Sequence, residues 1–170
     1  LAQSDYLARL DCLDVSILDR AFYYPIDHLV GRVTFENNSI SSPALQGMHG
    51  ITPVHIQFNA DTSFSPPRYV IQARSDQLPL DVDLYNALKE EHKELWKRFN
   101  PHGFSAFEFQ RRRLSPTRVE KRLSIDLKDA QVTYMGFPYP LNHLTGTVVF
   151  EKDRTDISNL MSQVANRQIA

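Results

Sequence analysis

The chain has 170 residues, of which 42% are hydrophobic, 11% aromatic and 23% charged, with a formal net charge of −1. This composition is enough for one domain with a real core, or one domain and part of another, and it excludes wholesale disorder. No run of about 18 apolar residues exists to span a membrane as a helix, near-neutrality argues against a nucleic-acid binder, and the single cysteine, Cys12, can form neither an internal disulfide nor a cysteine-based zinc site.

The opening Leu1-Ala2-Gln3-Ser4-Asp5 lacks a basic n-region and an apolar h-region, so no signal peptide is visible. The missing initiator Met points to a fragment or a processed chain. Beyond it most segments alternate apolar and polar residues with period two, the pattern of half-buried strands. Between Cys12 and Val15 the apolar phase slips by one, which a β-bulge or tight kink at Asp14 explains. Tyr24-Pro25 predicts a break between strands, because proline fixes its own φ and holds its predecessor extended. Leu29, Val33 and Phe35 then share a face, with Gly31 in mid-strand, where glycine usually marks a bend or the close approach of another backbone. Val54, Ile56 and Phe58 line another strand, and Tyr69, Ile71 and Ala73 the next.

One helix is predicted over Val82–Phe99. Asp81 or Asp83 can cap its start. Leu84, Leu88, Leu95 and Phe99 form its apolar face, Lys89, Glu90, Lys93, Glu94 and Lys97 lie off it, and Asn100-Pro101-His102-Gly103 stops it. Phe107 and Phe109 resume the alternation, followed by Leu123, Ile125 and Leu127. The phase slips again at Asp129 to Ala130, Val132 and Tyr134. Tyr139-Pro140 predicts a second break, before Leu144, Val148 and Phe150 around Gly146. The fold class read from these elements is mainly β, a β-rich α+β arrangement: a curved antiparallel sheet of nine or ten strands with one helix near 82–99 covering a face or an end.

The second half of this description echoes the first because the chain repeats itself. Residues 10–45 align without a gap on residues 125–160, an offset of 139 − 24 = 115, with 12 identities over 36 positions. Among them are Asp14/Asp129, Tyr24/Tyr139, Pro25/Pro140, His28/His143, Leu29/Leu144, Gly31/Gly146, Val33/Val148 and Phe35/Phe150. Small solenoid units run about 20–50 residues, so this period belongs to an array of larger modules. The organisation expected is a first unit over 1–115 and the start of a second, truncated unit over 116–170.

Chemistry-bearing motifs are sparse. His49 and His55 have five residues between them, which matches no established metal-ligand spacing. The recurrence of His28 and His143 beside the proline turns favours a structural bond to the turn backbone, and His92 is expected in solvent on the polar side of the helix. No G-x-S-x-G elbow, phosphate-cradling glycine loop or placed carboxylate pair appears. The expectation is a non-enzyme without metal or cofactor. Arg111-Arg112-Arg113, with Arg118, Lys121 and Arg122 nearby, is the one concentrated basic feature. It reads either as a solvated loop between strands or as a contact for anionic lipid headgroups or other polyanions. The 18 aromatics, 10 Phe, 7 Tyr and 1 Trp, exceed what a modest core needs, so some are free to line an exposed apolar surface.

The stretch Leu123–Phe150, centred on Phe137-Pro138-Tyr139-Pro140-Leu141 and closing with Thr145-Gly146, resembles the repeats of large bacterial envelope proteins of the AsmA-like superfamily. That group includes AsmA, TamB and YhdP-type proteins, and the likeness is to long repeat proteins of planctomycete type. Leu78-Pro79-Leu80-Asp81, Trp96 and Phe99-Asn100-Pro101-His102-Gly103 also fit, so the resemblance covers about residues 10–165. The first unit departs from it, with Phe22-Tyr23-Tyr24-Pro25 in place of Phe137-Pro138-Tyr139-Pro140.

The resemblance implies a curved sheet with an apolar concave groove that carries phospholipid between the inner and outer membranes. It also implies a periplasmic location, a membrane anchor outside this chain, and other envelope proteins as partners. Leu29, Val33, Phe35, Leu144, Val148 and Phe150 are the candidate groove residues, and Arg111, Arg112 and Arg113 the candidate anionic-surface contacts. Two other classes remain open. A purely structural or protein-binding β module predicts that the helix seals the apolar face. An enzyme or carbohydrate-binding domain predicts a closed pocket of converging polar and aromatic residues.

Overall fold

The computed structural model describes residues 5–19, 22–88, 90–136, 139–152 and 154–162. Lys89 and Phe137-Pro138 lie outside the described residues. Nine strands form one curved antiparallel sheet in sequence order: β1 (Leu7–Asp19), β2 (Phe22–Glu36), β3 (Ser39–His49), β4 (Thr52–Asp61), β5 (Arg68–Pro79), β6 (Pro101–Arg113), β7 (Val119–Val132), β8 (Leu141–Phe150) and β9 (Thr155–Met161). Each strand pairs only with its neighbours in sequence. Two short helices, α1 (Val82–Ala87) and α2 (Glu90–Phe99), interrupt the meander between β5 and β6.

The period-two pattern sorts the sheet into two faces. Residues paired directly across strands run unbroken from edge to edge as Cys12, Gly31, Leu45, Ile56, Ala73, Phe109, Leu123, Phe150 and Thr155. On the opposite face the row Val30, Gln46, His55, Arg74, Glu108, Ser124, Val149 and Asp156 is largely polar. Directly opposed side chains share a face, so the alternation read along each strand becomes an apolar side and a polar side of the sheet.

Both helices dock on the apolar side. Leu84 and Ala87 of α1 join Tyr24 of β2, Leu78 of β5, Leu80, Ala130 and Val132 of β7, and Leu144 of β8 in one buried cluster, with Trp96 and Phe99 of α2 against it. A second cluster holds Leu29, Leu45, Val54 and Ile56, and Phe107 of β6 touches both. A flat sheet would separate β2 from β8 by about 29 Å, six strand spacings. Their meeting around two short helices means the sheet bends toward its apolar face. The helices seal the end of the trough where β5 hands the chain to them and β6 takes it back. Among the described residues the other end, at Phe35, Ala60, Tyr69, Arg113 and Val119, carries no helix.

The expected single helix is two. Asp81 caps α1 as read, its carboxylate accepting from the Leu84 N–H at 3.0 Å, but Leu88 is extended (φ −69°, ψ 150°) and separates α1 from α2. Leu95, placed on the apolar face by the single-helix pattern, is 39% exposed, because the break resets the helical phase. The stop at Asn100 holds, with φ at 39°, and Pro101–Gly103 opens β6. Tyr139-Pro140 does precede a strand start at Leu141, but Tyr24-Pro25 lies inside β2, which continues through the proline with irregular register against β1.

The 115-residue repeat recurs in the pairing itself. Leu10↔Val33, Cys12↔Gly31 and Val15↔Leu29 become Ile125↔Val148, Leu127↔Gly146 and Ala130↔Leu144, with the expected bulges between Cys12 and Val15 and between Leu127 and Ala130. Gly31 and Gly146 have φ of +138° and +146°. A Cβ on Gly31 would stand 2.5 Å from the Ala44 carbonyl oxygen, and one on Gly146 would stand 3.0 Å from Leu160 Cα, so both glycines admit the backbone of the next strand. The Asn159 carbonyl oxygen, 3.1 Å from the Gly146 Cβ position, stands where the Ala44 carbonyl oxygen does in the first unit, since 159 − 44 = 115. The row through Cys12, however, crosses β7 at Leu123, although the repeat equivalent of Cys12 is Leu127. Successive units are therefore staggered by 127 − 123 = 4 residues along the strands.

Candidate functional site

The six candidate groove residues all lie on the apolar face, but at two depths. Leu29 and Leu144 are 3% and 6% exposed, each locked into one of the core clusters, so they hold the fold together and do not line an open surface. Two bulges and the tight curl at the helical end turn these positions inward. Val33, Phe35, Val148 and Phe150 are half-buried. Phe150 meets the His92 ring of α2 at 5.7 Å, so His92 is half-buried against the sheet and not solvated.

Toward the helix-free end the open part of the face is built from two rows. The outermost runs Ala8, Phe35, Ile40, Ala60, Tyr69, Arg113 and Val119. Inside it, Ser42, Phe58, Ile71, Arg111 and Lys121 stand side by side, and Val33 pairs with Leu10 at the β1 edge. Apart from Ser42, which is buried, and the edge and cationic positions Ala8, Leu10 and Lys121, which are exposed, these side chains are half-buried.

The basic run is therefore not a loop. Arg111, Arg112 and Arg113 end β6, and the turn to β7 begins at Leu114, whose N–H bonds the Arg118 carbonyl at 3.0 Å. The strand divides the three arginines. Arg112 is exposed on the polar face opposite Glu120, where the neighbouring cations are matched: Arg118 meets Glu120 at 2.6 Å and Arg122 meets Glu151 at 3.5 Å. Arg111 and Arg113 fall on the apolar face and lay their guanidinium groups against Tyr69, with Cζ 5.6 and 5.0 Å from the ring centroid. The Nε of each is buried and makes no hydrogen bond. No residue of the apolar-face rows just described is acidic. Tyr69 as the neighbour of the arginines was not foreseen from sequence. The signal was present: continuing the alternation of Phe107 and Phe109 puts Arg111 and Arg113 on the apolar side and Arg112 on the other.

The histidines serve structure. His28 Nδ1 lies 2.9 Å from Asp14 Oδ1, and its repeat partner His143 Nδ1 lies 2.5 Å from Asp129 Oδ1, so these rings bond the bulge carboxylate and not the turn backbone. Both histidines have φ near +52°, and both pairs are exposed. His49 stacks on Tyr24 at 3.6 Å and its Nδ1 bonds the Pro25 carbonyl oxygen at 2.7 Å, whereas His55 stands on the polar face. Among the described residues no group of three or more His, Cys, Asp or Glu side chains is placed to hold a metal ion. No helix of the described chain is long and apolar enough to cross a membrane.

Ionisation departs from ordinary values at a few places. The Arg32 guanidinium bonded to Asp11 holds that carboxyl below its usual range, and Asp11 in turn raises Arg32. The repeat keeps this cross-strand contact but changes its chemistry, with Thr147 donating to Asp126 at 2.7 Å. Burial, aided by the charges of Asp81 and Asp83, pushes the Tyr24 phenol well above its usual value. No protein-family model matches this chain, and no curated protein or solved structure matches it either.

Proposed function

We propose that this chain is a stretch of an envelope lipid conduit of the AsmA-like kind, in which acyl chains lie along the open half of the apolar face while headgroups stay in water. The observation that carries this reading is the open character of that half: apolar side chains stand in register across the sheet, half-buried, and no helix of the described residues lies over the outermost row. Each CH₂ withdrawn from water contributes about 0.8 kcal/mol, with no directional bond to hold the chain in one place. A uniform trough of this kind binds by area and lets its occupant slide. The periplasm is the compartment that goes with this role.

The test is mass spectrometry of organic extracts of the purified protein, with Val33→Asp and Val148→Asp on the apolar face and Val30→Asp on the polar face as control. Phospholipid carried by wild type and by Val30→Asp, and lost in the first two, supports the reading. Absence of lipid above an unrelated β protein of equal size defeats it.

The burial of Leu29, Leu144 and the helical end favours a second reading, a non-catalytic structural or protein-binding β module. In that case the apolar half seats a protein neighbour, and the extracts hold no lipid.

A further inference from the structure

We infer that the trough selects its occupant by charge: Arg111 and Arg113 form a headgroup site for phospholipids of net negative charge. The inference rests on the conduit reading above and adds a recognition element to it.

A guanidinium carries five N–H donors, and a buried donor left without an acceptor is unfavourable. Arg111 and Arg113 each bury an Nε with no hydrogen bond, on the apolar side of the sheet. The same strand had a cheaper arrangement available, because on the polar face its neighbours Arg118 and Arg122 find Glu120 and Glu151. Two carboxylates of α2 are already engaged within the helix, Glu90 with Lys93 at 2.8 Å and Glu94 with Lys97 at 2.9 Å.

What holds the two arginines is Tyr69, whose ring both guanidinium groups approach from β6. A ring face supports a cation without using its hydrogen-bonding edge. The forked donors thus remain available to an oxyanion, the geometry that suits arginine to phosphate. Lys121 stands directly across from Arg111. Ile71 and Phe58 continue from Arg111 across the sheet as apolar surface. An anionic group attached to a long apolar tail satisfies both halves of this surface at once. A free anion satisfies only one.

The experiment uses the whole chain. It is incubated with vesicles holding equal phosphatidylglycerol and phosphatidylcholine of identical acyl chains, re-isolated by size exclusion, and its lipid quantified by mass spectrometry. Wild type is expected to take up phosphatidylglycerol over phosphatidylcholine by about tenfold, the worth of one charge-assisted hydrogen bond. The ratio should fall to about one in R111Q/R113Q, fall part of the way in R111K/R113K, which keeps the charge and loses the fork, and persist in R112Q, which alters the polar face. Inorganic phosphate at millimolar concentration should not abolish uptake, since it lacks the tail.

Equal uptake of the two lipids overturns the headgroup site and leaves the trough standing. Uptake of neither overturns both. A loss in R112Q equal to that in R111Q/R113Q reduces the preference to overall charge and overturns the site, as does displacement of lipid by inorganic phosphate alone.

Discussion

Replacing Gly31 with alanine adds one methyl group, and the surroundings set its cost. At φ +138° an L-residue sits in a region that essentially only glycine occupies, a strain of about 2 kcal/mol. The new Cβ would stand 2.5 Å from the Ala44 carbonyl oxygen and 2.8 Å from Leu45 Cδ2. The leucine can turn aside, but the carbonyl belongs to the backbone of β3 and cannot. β2 and β3 must therefore part locally, at the expense of at least one ladder hydrogen bond, about 1 kcal/mol. The sum is about 3 kcal/mol, a large share of a typical stability of 5–15 kcal/mol. Gly50 is the control, because it also has positive φ (+56°) yet nothing lies within 4 Å of its Cβ position. Gly50→Ala should cost about 1 kcal/mol from conformation alone. Urea unfolding followed by circular dichroism should place the Gly31→Ala midpoint below that of Gly50→Ala by about 1 M, for an m-value near 2 kcal/mol/M. Equal midpoints would refute the claim that close strand approach, and not backbone freedom alone, requires glycine at this position.

Substitutions at Leu29, Asp81 and Tyr24 probe the core, the helix cap and the buried phenol. Leu29→Ala, at a site 3% exposed, should cost about 3 kcal/mol in the same assay, whereas Leu13→Ala, 80% exposed, should stay within about 0.5 kcal/mol. Asp81→Ala should cost about 1 kcal/mol and Asp81→Asn much less, since the asparagine oxygen can still accept from the Leu84 N–H. The Tyr24 phenol titrates higher in the fold than in the unfolded chain, so its contribution is complete below the unfolded value of about 10 and declines as pH rises through the folded one. Tyr24→Phe should accordingly lose less stability than wild type between about pH 10 and 12, and parallel alkaline limbs would contradict that assignment.

The strands were legible because alternation survives wherever one face is buried, and the repeat was legible because its ungapped offset preserves register. Asp14, Gly31 and their partners at 129 and 146 were read correctly as bulge and close approach for the same reason. What sequence hid was the third dimension. The break at Leu88 leaves the helical periodicity intact in the letters, since an extended backbone at Leu88 changes no composition. The depth of Leu29 against Phe35 depends on how tightly the sheet curls and where the helices dock, neither of which is a local property. The division of Arg111–Arg113 was recoverable from alternation, but three adjacent charges looked like a loop because charge usually seeks water. The histidines at 28 and 143 were placed correctly as structural, and their acceptor was missed because a bulge fourteen residues upstream lies across a strand pair.

The four-residue offset between units sets a pitch. One period advances six strands, about 29 Å, while equivalent points move about 14 Å along the strand direction, toward the helical end. Landmarks in an array of such units would fall on a line inclined by about 25° to the line across the strands. The trough would then wind as a shallow spiral, and each helix pair would sit on one flank of it like a tread on a stair. An occupant travelling straight across the strands would drift from the roofed side of one unit to the unroofed side of the next. Access to solvent would then alternate along the path with the period of the repeat.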